Sequence, residues 1–572
     1  MKKLFIVLCA TMAIGNLSYA QSADNGDGTF SNPLIYADVP DLDIERVGDT
    51  YYMVSTTMSY SPGCTIMKSK DLVNWSVCGY AYDYLDRGDR YSLRNGQNDY
   101  ANGSWAANIR YDKYEQRWYI IMTCNTTGKT YFYSTRDIEK EPWHVAVTDK
   151  CYDPGLLFID NGESIDKYVI HPSDKLSDHE TFLRHMLTDG KGNVGIDEKR
   201  IIIPYTQFEN PSEGLRAEGY HGYKIGEYVY LFCIQGQGSM RQEIVWRTKD
   251  VENDPWEVRK VFNGHLLDTD GSMPLKLNGI AQGGIVSMPD NTPGTHDGTW
   301  YCYLFQDCGS VGRIPMLLPM KWDNDKWPVI GNDGTTTPVT LPMPVSGQPT
   351  AFCVVSDEFD NGTTHYQISE KEEKGGEFGY NGSDLKLEWQ WNHNPDNRYW
   401  SLTDRDGWLR LKAEVLAHNI RDARNTLTQR TFGPTCSAET KLDASMMRDG
   451  DCAGLTSFQN RYGYVGVEVI DGVKYVVMRR AMEKDDAPGK VIESVKMKGN
   501  VVYLRLECDF TNRTDKAKFY YSFNGKKWKQ IGDEMQMHYD WPDFCGQRMG
   551  VFCFPTKTTG GYADFDYFRI GK

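Results

Sequence analysis

A polar turn followed by an aromatic, strand-forming run is found at Gly48-Asp49-Thr50-Tyr51-Tyr52-Met53-Val54. The same pattern recurs four more times before residue 330, and the central tyrosines of successive runs are 49 to 71 residues apart. Aromatic and β-branched residues favour strands, and each interval has room for a blade of four strands. The series therefore predicts a five-bladed β-propeller over residues 21–337. The other four runs are residues 116–121, 166–170, 226–231 and 297–303.

Prolines mark a boundary after these repeats. Pro338, Pro342, Pro344 and Pro349 lie within a dozen residues that show no periodic pattern, which is typical of an extended linker over 338–351. From residue 352 to 572, strand-like runs alternate with polar turns, and few helical patterns occur. This half of the chain is predicted to be an antiparallel β-sandwich, which makes the whole protein all-β. Such runs are found at residues 409–412, 464–469, 501–506 and 519–523.

The first twenty residues have the composition of a secretory signal peptide. Lys2 and Lys3 precede an apolar run over residues 4–14, and residues 18–20 form a cleavage site of the small-x-small type. The apolar run is too short to span a bilayer, and no later stretch reaches that length. The sequence therefore predicts removal of residues 1–20 and a secreted or periplasmic protein with no membrane span.

Charge and composition narrow the range of partners. The 572 residues carry a formal charge of −15 at pH 7, and the leader contributes two lysines, so the mature chain is more acidic still. An acidic surface repels phosphate, which makes nucleic acid and anionic membranes poor partners. Aromatic residues make up 13% of the chain. Most such rings belong to cores, but sugar rings stack on those that are accessible, so a neutral carbohydrate is compatible with this composition.

Three carboxylates hold equivalent positions relative to the repeats. Asp41, Asp153 and Glu218 each precede the first tyrosine of an aromatic run by ten to fifteen residues, where the inner strand of a blade would face the central channel. Glycoside hydrolysis usually needs one protonated and one ionised carboxyl group beside the scissile bond, and a third nearby raises the pKa of the acid. Turn chemistry could explain each residue alone, above all Asp153 before Pro154, but not the placement that all three share.

Longer motifs resemble glycoside hydrolase family 43. Two of them are Ser69-Lys70-Asp71-Leu72-Val73-Asn74-Trp75 and Trp105-Ala106-Ala107-Asn108-Ile109-Arg110-Tyr111. The second half is similar to the concanavalin-like, jelly-roll domain that follows the propeller in the β-xylosidase-like branch, through Ala423-Arg424-Asn425-Thr426-Leu427-Thr428-Gln429-Arg430. All of the motifs occur in the order typical of the family. Further matching runs are residues 32–52, 153–154, 217–219, 312–313, 318–319, 389–395 and 564–568.

The resemblance implies a role for each carboxylate. Asp41 would be the general base that activates water, Glu218 would be the general acid, and Asp153 would orient Glu218 and keep it protonated. Hydrolysis would invert the anomeric configuration and release terminal pentoses, α-L-arabinofuranosyl or β-D-xylosyl, from plant cell-wall polysaccharides or oligosaccharides. Arg313 would lie close to the sugar, and a surface arginine is the alternative. Trp105 would form a wall of the sugar pocket, and a tryptophan packed within its blade is the alternative.

The resemblance also bears on metals. It implies no cofactor for catalysis. The family often has a histidine before a glycine-rich turn in the fifth blade, near a central ion or water, but Ala281 stands there, so this chain departs from the pattern where a central calcium ion would lie. In the sandwich, Glu358 and Asp566 resemble positions that hold a structural calcium ion, which prefers hard oxygen ligands. Two surface acids are the alternative interpretation.

Two other classes of protein would be compatible with the same fold. One is a carbohydrate-binding protein that has lost catalysis, and the other is a structural cell-surface protein. The presence of all three carboxylates favours the enzyme over the binding protein, and the pocket motifs argue against a structural protein. An assay for released sugar would separate the enzyme from both of these alternatives.

Overall fold

The structure is a computed structural model that describes residues 21–86, 88–174, 180–207, 217–236, 241–264, 279–335, 337–361, 378–481 and 488–571. The predicted signal peptide, residues 1–20, lies outside these residues. Nearly all regular structure in the described ranges is β-strand, and the helices there are short 3-10 turns. The all-β prediction is therefore confirmed. These turns are Arg90–Ser92, Tyr205–Gln207, Gly309–Val311, Ile420–Asp422 and Thr511–Arg513.

The first half of the chain forms five antiparallel sheets that follow one another in sequence. Four of the sheets have four strands, and the third has five because two short strands pair with the same neighbour. The strands are β1 (Thr29–Ser31), β2 (Asp43–Val47), β3 (Thr50–Ser55), β4 (Tyr60–Ser61), β5 (Gly63–Ser69), β6 (Ser76–Tyr82), β7 (Ser104–Asp112), β8 (Arg117–Cys124), β9 (Lys129–Thr135), β10 (His144–Asp149), β11 (Gly155–Asp160), β12 (Ile165–Pro172), β13 (Thr181–Thr188), β14 (Val194–Ile196), β15 (Arg200–Ile203), β16 (Glu218–Ile225), β17 (Tyr228–Gln235), β18 (Gln242–Thr248), β19 (Glu257–Phe262), β20 (Ala281–Ser287), β21 (Trp300–Asp307), β22 (Arg313–Trp322), β23 (Pro328–Ile330) and β24 (Thr340–Pro342).

These five sheets are the blades of a propeller. The first strand of each blade packs against the first strands of both neighbouring blades, so that β2, β7, β11, β16 and β20 form a closed ring around the centre. The five aromatic runs of the sequence lie on the second strands, β3, β8, β12, β17 and β21. The prediction of five blades is therefore confirmed, and the residues just before each run do lead into an inner strand.

Contacts at the start and end of the propeller close the ring of blades. Strand β1 pairs with β24 after the fifth blade, with Phe30 opposite Leu341. The side chain of Asn32 donates to the carbonyl of Leu317 on β22 and accepts from the Leu317 amide, at 2.9 Å in both directions. Strand β24 lies within the predicted linker 338–351, and the linker boundaries themselves stay a prediction.

The second half of the chain forms two eight-stranded antiparallel sheets with a hydrophobic core between them. One of these sheets takes its outermost strand from the propeller, because β4 in the first blade pairs with Trp391 and Asn392. The strands are β25 (Gln390–Asn392), β26 (Trp400–Ser401), β27 (Leu409–Ala413), β28 (Thr426–Arg430), β29 (Thr435–Asp443), β30 (Asp451–Phe458), β31 (Gly463–Ile470), β32 (Val473–Arg480), β33 (Lys490–Lys496), β34 (Val501–Asp509), β35 (Lys516–Ser522), β36 (Lys529–Gln530), β37 (Met535–Gln536), β38 (Arg548–Pro555) and β39 (Gly561–Gly571).

Buried polar contacts join the sandwich to the propeller. The carboxylate of Asp38, in the chain that leads to the first blade, accepts hydrogen bonds from the backbone amides of Arg313 (2.7 Å) and Gly546 (2.8 Å). The guanidinium of Arg430 on β28 donates to the Asp38 carbonyl at 2.8 Å. These hydrogen bonds fix the sandwich against the first and fifth blades of the propeller. Among the described residues, no helix is long and apolar enough to cross a membrane.

Candidate active site

The three predicted carboxylates lie at the same structural position in three blades. Asp41 comes two residues before β2, Asp153 comes two residues before β11, and Glu218 is the first residue of β16. Because these first strands surround the centre of the propeller, their beginnings meet at one end of the channel. The structure thus brings Asp41, Asp153 and Glu218 into one cluster, in which Asp41 and Asp153 are 7% and 6% exposed.

Local backbone conformation aims two of these side chains into the cluster. Asp41 and Asp153 both have left-handed backbones, with φ of 50° and 40°, which L-residues adopt at a cost that surrounding structure must offset. Blades three and four approach closely beside them. A Cβ at Gly155 would lie 2.0 Å from the carbonyl oxygen of Tyr220, so glycine is required where β11 meets β16. This close approach brings Asp153 near Glu218.

Burial and repulsion between carboxylates raise two pKa values in the cluster. The pKa of Asp153 lies well above its usual range, first because of burial and then because of the charges of Glu218 and Asp41. The pKa of Glu218 is raised by burial and by the charge of Asp41, while Arg241 and Arg313 oppose the rise. The cluster therefore retains a proton at a pH where exposed carboxyl groups have lost theirs. Such a group can act as a general acid.

Asp41 belongs to a closed ring of five side chains, each of which contacts the next through a hydrogen bond or an ion pair. Arg313 donates to Oδ1 of Asp41 at 2.7 Å, and Nε2 of Gln282 donates to the same oxygen at 3.1 Å. Arg241 donates to the Gln282 carbonyl oxygen at 3.2 Å and to Asp307 at 2.8 Å. The ring closes because Asp307 lies 3.2 Å from Nε of Arg313. Two aspartates and two arginines balance each other's charge, which makes their burial tolerable.

Neither Arg241, Gln282 nor Asp307 was predicted from the sequence. Gln282 could have been predicted from its position in the repeat. It lies within two residues of the start of the first strand of the fifth blade, as Asp41 and Glu218 do in the first and fourth blades. A bulge between β20 and β21 and a φ of 66° turn the Gln282 side chain toward Asp41. Its side chain is polar but uncharged, so Gln282 does not belong to the pattern of carboxylates.

The sandwich contributes an aromatic cover to this site. The ring of Phe544 lies 4.1 Å from the guanidinium carbon of Arg313, and Phe305 of the fifth blade lies 5.2 Å from the same atom. Phe544 also packs against Trp105, with ring centroids 5.2 Å apart. Arg313 is therefore held between the Asp41 carboxylate and an aromatic ring that comes from the other half of the chain. Such cation–π contacts strengthen when water is excluded.

Trp105 lies at the beginning of the first strand of the second blade. Its side chain is half-buried, its indole nitrogen donates to the carbonyl of Ala101 at 3.2 Å, and one ring face meets Phe544. The indole is packed between the propeller and the sandwich rather than within its own blade. Its contact with bound sugar stays a prediction.

Comparison with known proteins identifies the family. The sequence model described as Glycosyl hydrolases family 43 matches residues 30–328. The chain belongs to glycoside hydrolase family 43. Residues 378–571 match the beta xylosidase C-terminal concanavalin A-like domain, which confirms the predicted class of the sandwich. As a member of this family, the protein is a glycoside hydrolase that acts on carbohydrate.

Individual relatives of this family 43 enzyme cover almost its whole length. A beta-xylosidase of Formosa agariphila is 31% identical over 95% of this chain and 90% of its own. A non-reducing end alpha-L-arabinofuranosidase of Bacteroides ovatus is 27% identical over 87% of this chain and 86% of its own. Among solved structures, the bifunctional GH43-CE protein of Bacteroides eggerthii is 40% identical, with a TM-score of 0.82 over 96% of this chain. This enzyme spans 64% of that protein's length.

The two acids predicted to hold calcium in the sandwich of this family 43 enzyme each form an ion pair. Glu358 forms a bidentate ion pair with Arg569, with both N–O distances at 2.8 Å, and Asp566 pairs with Lys441 at 2.7 Å. A cation already neutralises each carboxylate. In the ranges that the structure covers, no group of three or more acidic, histidine or cysteine side chains converges as metal ligands would. These ion pairs are compatible with the alternative of surface acids, and calcium binding by Glu358 and Asp566 stays a prediction.

Proposed function

We propose that this enzyme removes single pentose units from the ends or side chains of plant cell-wall polysaccharides or oligosaccharides, with inversion of the anomeric carbon. One observation carries the proposal. A buried carboxylate fixed by an arginine, Asp41 with Arg313, shares its cluster with a carboxyl group of raised pKa, Glu218. An ionised base and a protonated acid in one pocket are the two groups that inverting hydrolysis requires.

The hydrogen bonds of Asp41 support its assignment as the general base. Arg313 and Gln282 both donate to Oδ1, so we assign the attacking water to Oδ2. In the single displacement, Asp41 takes a proton from the water as its oxygen bonds to the anomeric carbon. Glu218 gives its proton to the glycosidic oxygen as the bond to the leaving group breaks. The two carboxyl groups then exchange protons with solvent to restore the starting state.

Asp153 supports Glu218 through electrostatics. Its burial beside Glu218 couples the two carboxyl groups, so loss of a proton from one makes loss from the other harder. Tyr152, the preceding residue, donates a hydrogen bond to Oε2 of Glu218 at 3.4 Å. Asp153 thus favours the protonated form of Glu218 until the leaving oxygen accepts the proton, whereas the Tyr152 hydrogen bond orients the carboxyl group and opposes the rise in its pKa.

The relatives support either of two pentoses. The Formosa agariphila protein is named a beta-xylosidase and the Bacteroides ovatus protein an alpha-L-arabinofuranosidase. Xylosyl and arabinofuranosyl groups present similar hydroxyls, so we propose that one or both are substrates. The sandwich side of the site, where Phe544 covers Arg313, supports action on terminal units. The leader over residues 1–20 supports a secreted or periplasmic enzyme.

A panel of aryl pentosides, with the product anomer read by NMR, tests this function. The wild-type enzyme is expected to release the inverted sugar from an α-L-arabinofuranoside, a β-D-xyloside or both. Asp41→Asn and Glu218→Gln are each expected to lower turnover of oligosaccharides at least a thousandfold while leaving the protein folded at the assay temperature. A non-catalytic binding protein would release no sugar from any substrate. Near-normal activity of either variant would refute the role of that residue.

A further inference from the structure

Glu243 is a buried carboxyl group beside the catalytic cluster that has no part in the mechanism described above. It lies on β18 of the fourth blade and is 0% exposed. Its Oε2 accepts a hydrogen bond from the backbone amide of Gln282 at 2.8 Å. Its other oxygen, Oε1, is buried with no hydrogen-bond partner among the residues that the structure describes. Burial of a carboxyl group is costly, so its presence here calls for a gain elsewhere.

The surroundings of Glu243 favour its neutral form. Burial raises the pKa of this carboxyl group to about 8, although the Gln282 amide and the charge of Arg241 both lower it. The neighbouring thiols of Cys233 and Cys302 also stay uncharged, because burial raises the pKa of each well above its usual range. Near pH 6, Glu243 therefore presents an uncharged acceptor to the Gln282 amide.

The amide that Glu243 binds belongs to a residue with an unusual backbone. Gln282 has a φ of 66°, in the left-handed region, and it lies at a bulge where the pairing between β20 and β21 shifts. A residue other than glycine adopts this conformation at a cost that its surroundings must offset. The hydrogen bond to Glu243 supplies such a restraint, because it ties the bulge of the fifth blade to a strand of the fourth.

The Gln282 side chain has contacts next to both proposed catalytic groups. Its Nε2 donates to Oδ1 of Asp41 at 3.1 Å, and its carbonyl oxygen accepts from Arg241 at 3.2 Å. A Cβ at Gly219, the residue after Glu218, would lie 2.7 Å from Cγ and Nε2 of Gln282. The side chain therefore has little room, and its position depends on the direction in which the backbone presents it.

We infer that Glu243 is a positioning residue for the general base, because it fixes the backbone of Gln282, and Gln282 in turn orients the Asp41 carboxylate. Its influence on the reaction passes through Gln282 and comes from hydrogen-bond acceptance, not from charge. The inference rests on the proposed function, in which Asp41 activates the water.

Two substitutions separate hydrogen bonding from charge. Glu243→Leu has no acceptor for the Gln282 amide, so kcat on an aryl pentoside at pH 6 is expected to fall about tenfold with little change in KM, the loss expected from one buried hydrogen bond. Glu243→Gln keeps a carbonyl acceptor of the same size, so its kcat should stay within about twofold of wild type. A loss in Glu243→Gln as large as that in Glu243→Leu would refute the role of an uncharged acceptor.

A double-mutant cycle tests whether Glu243 acts through Gln282. Gln282→Leu alone is expected to lower kcat about tenfold. The variant with both Glu243→Leu and Gln282→Leu should also lie about tenfold below wild type, because without the Gln282 side chain the backbone restraint no longer serves Asp41. Independent effects, or a general loss of folded enzyme, would multiply to about a hundredfold, and that result would overturn the inference.

Thr440→Val is the matched control for the loss of a buried hydrogen bond. Thr440 lies in the sandwich, is 0% exposed, and donates from its hydroxyl to the carbonyl of Tyr567 at 2.6 Å. Its substitution is expected to lower the melting temperature and to leave kcat unchanged. If kcat fell as far in Thr440→Val as in Glu243→Leu, the effect of Glu243 would be one of general stability, and the positioning role would be wrong.

Hydrogen exchange separates this inference from the proposed function, because it needs no substrate. By mass spectrometry, the peptide that contains the Gln282 amide is expected to exchange at least about tenfold faster in Glu243→Leu, and at the wild-type rate in Glu243→Gln and Thr440→Val. If the wild-type enzyme hydrolysed no pentoside, the proposed function would fail, but faster exchange would still support the link between Glu243 and Gln282. An unchanged exchange rate in Glu243→Leu would refute that link whatever the activity.

Discussion

Replacing Phe544 with alanine tests whether the sandwich completes the active site. Phe544 reaches across from the second half of the chain to lie 4.1 Å from the guanidinium carbon of Arg313 and 5.2 Å from the ring centroid of Trp105. Phe544→Ala removes both contacts and admits water beside the ion pair of Arg313 with Asp41. The catalytic carboxyl groups themselves are left in place.

The expected loss follows from these two contacts. A cation–π contact shielded from water is worth about 1–2 kcal/mol, and an aromatic pair contributes roughly 0.5–1.5 kcal/mol. A combined loss of about 2 kcal/mol in the transition state corresponds to about a thirtyfold fall in kcat/KM. Because Arg313 positions both the base and the sugar, kcat and KM should both worsen.

Steady-state kinetics on an aryl pentoside measure this loss. Phe523→Ala is the matched control, since Phe523 is a half-buried sandwich residue with one ring contact to Tyr521 at 5.2 Å, and it should leave kcat/KM unchanged. Thermal melting of both variants checks that folding is intact. If Phe544→Ala folded normally and kept kcat/KM within about threefold of wild type, the sandwich would not contribute to catalysis through this ring.

Three further outcomes are expected. Arg241 lowers the pKa of Glu218, so Arg241→Gln should raise that pKa and move the high-pH limb of the kcat/KM profile to higher pH. If the limb did not move, Arg241 would have no influence on the pKa of the general acid. Gln282→Leu removes a donor to Asp41 and should lower kcat about tenfold with little change in KM, whereas a rise in KM alone would make Gln282 a substrate contact. EDTA should leave the melting temperature unchanged, because the carboxylates of Glu358 and Asp566 already pair with cationic side chains. A clear decrease in melting temperature would show that the protein contains a structural metal ion.

The repeats were predictable from sequence because each blade needs the same packed second strand. Aromatic runs such as 226–231 lie on those strands, and their spacing revealed the number of blades. The carboxylates were predictable for a related reason, since Asp41, Asp153 and Glu218 each lie ten to fifteen residues before the first tyrosine of one of these runs. A periodic fold thus makes site positions visible in the sequence, even though the residues are far apart in the chain.

Other parts of the site depend on contacts that no local pattern encodes. Asp307 is one of 78 acidic residues, and only its distances to Arg241 and Arg313 set it apart. Phe544 lies in a sandwich segment far from Arg313 in sequence, so its placement depends on how the two halves dock. The ion pairs of the two expected calcium ligands could not be predicted from the sequence for the same reason. Glu358 and Asp566 have the right chemistry, but their partners come from neighbouring strands.

The two-residue strand β4 makes the two halves of this chain interdependent for solubility and for engineering. A sandwich produced alone would expose β25 as a bare sheet edge, and such edges template aggregation between molecules. A propeller produced alone would expose Tyr60, which is 3% accessible and lies beneath Arg548 of the sandwich. Chimeras that exchange one half for that of a relative would therefore need to carry a compatible β4 and β25 together. The smallest unit that can be transplanted is the pair of domains.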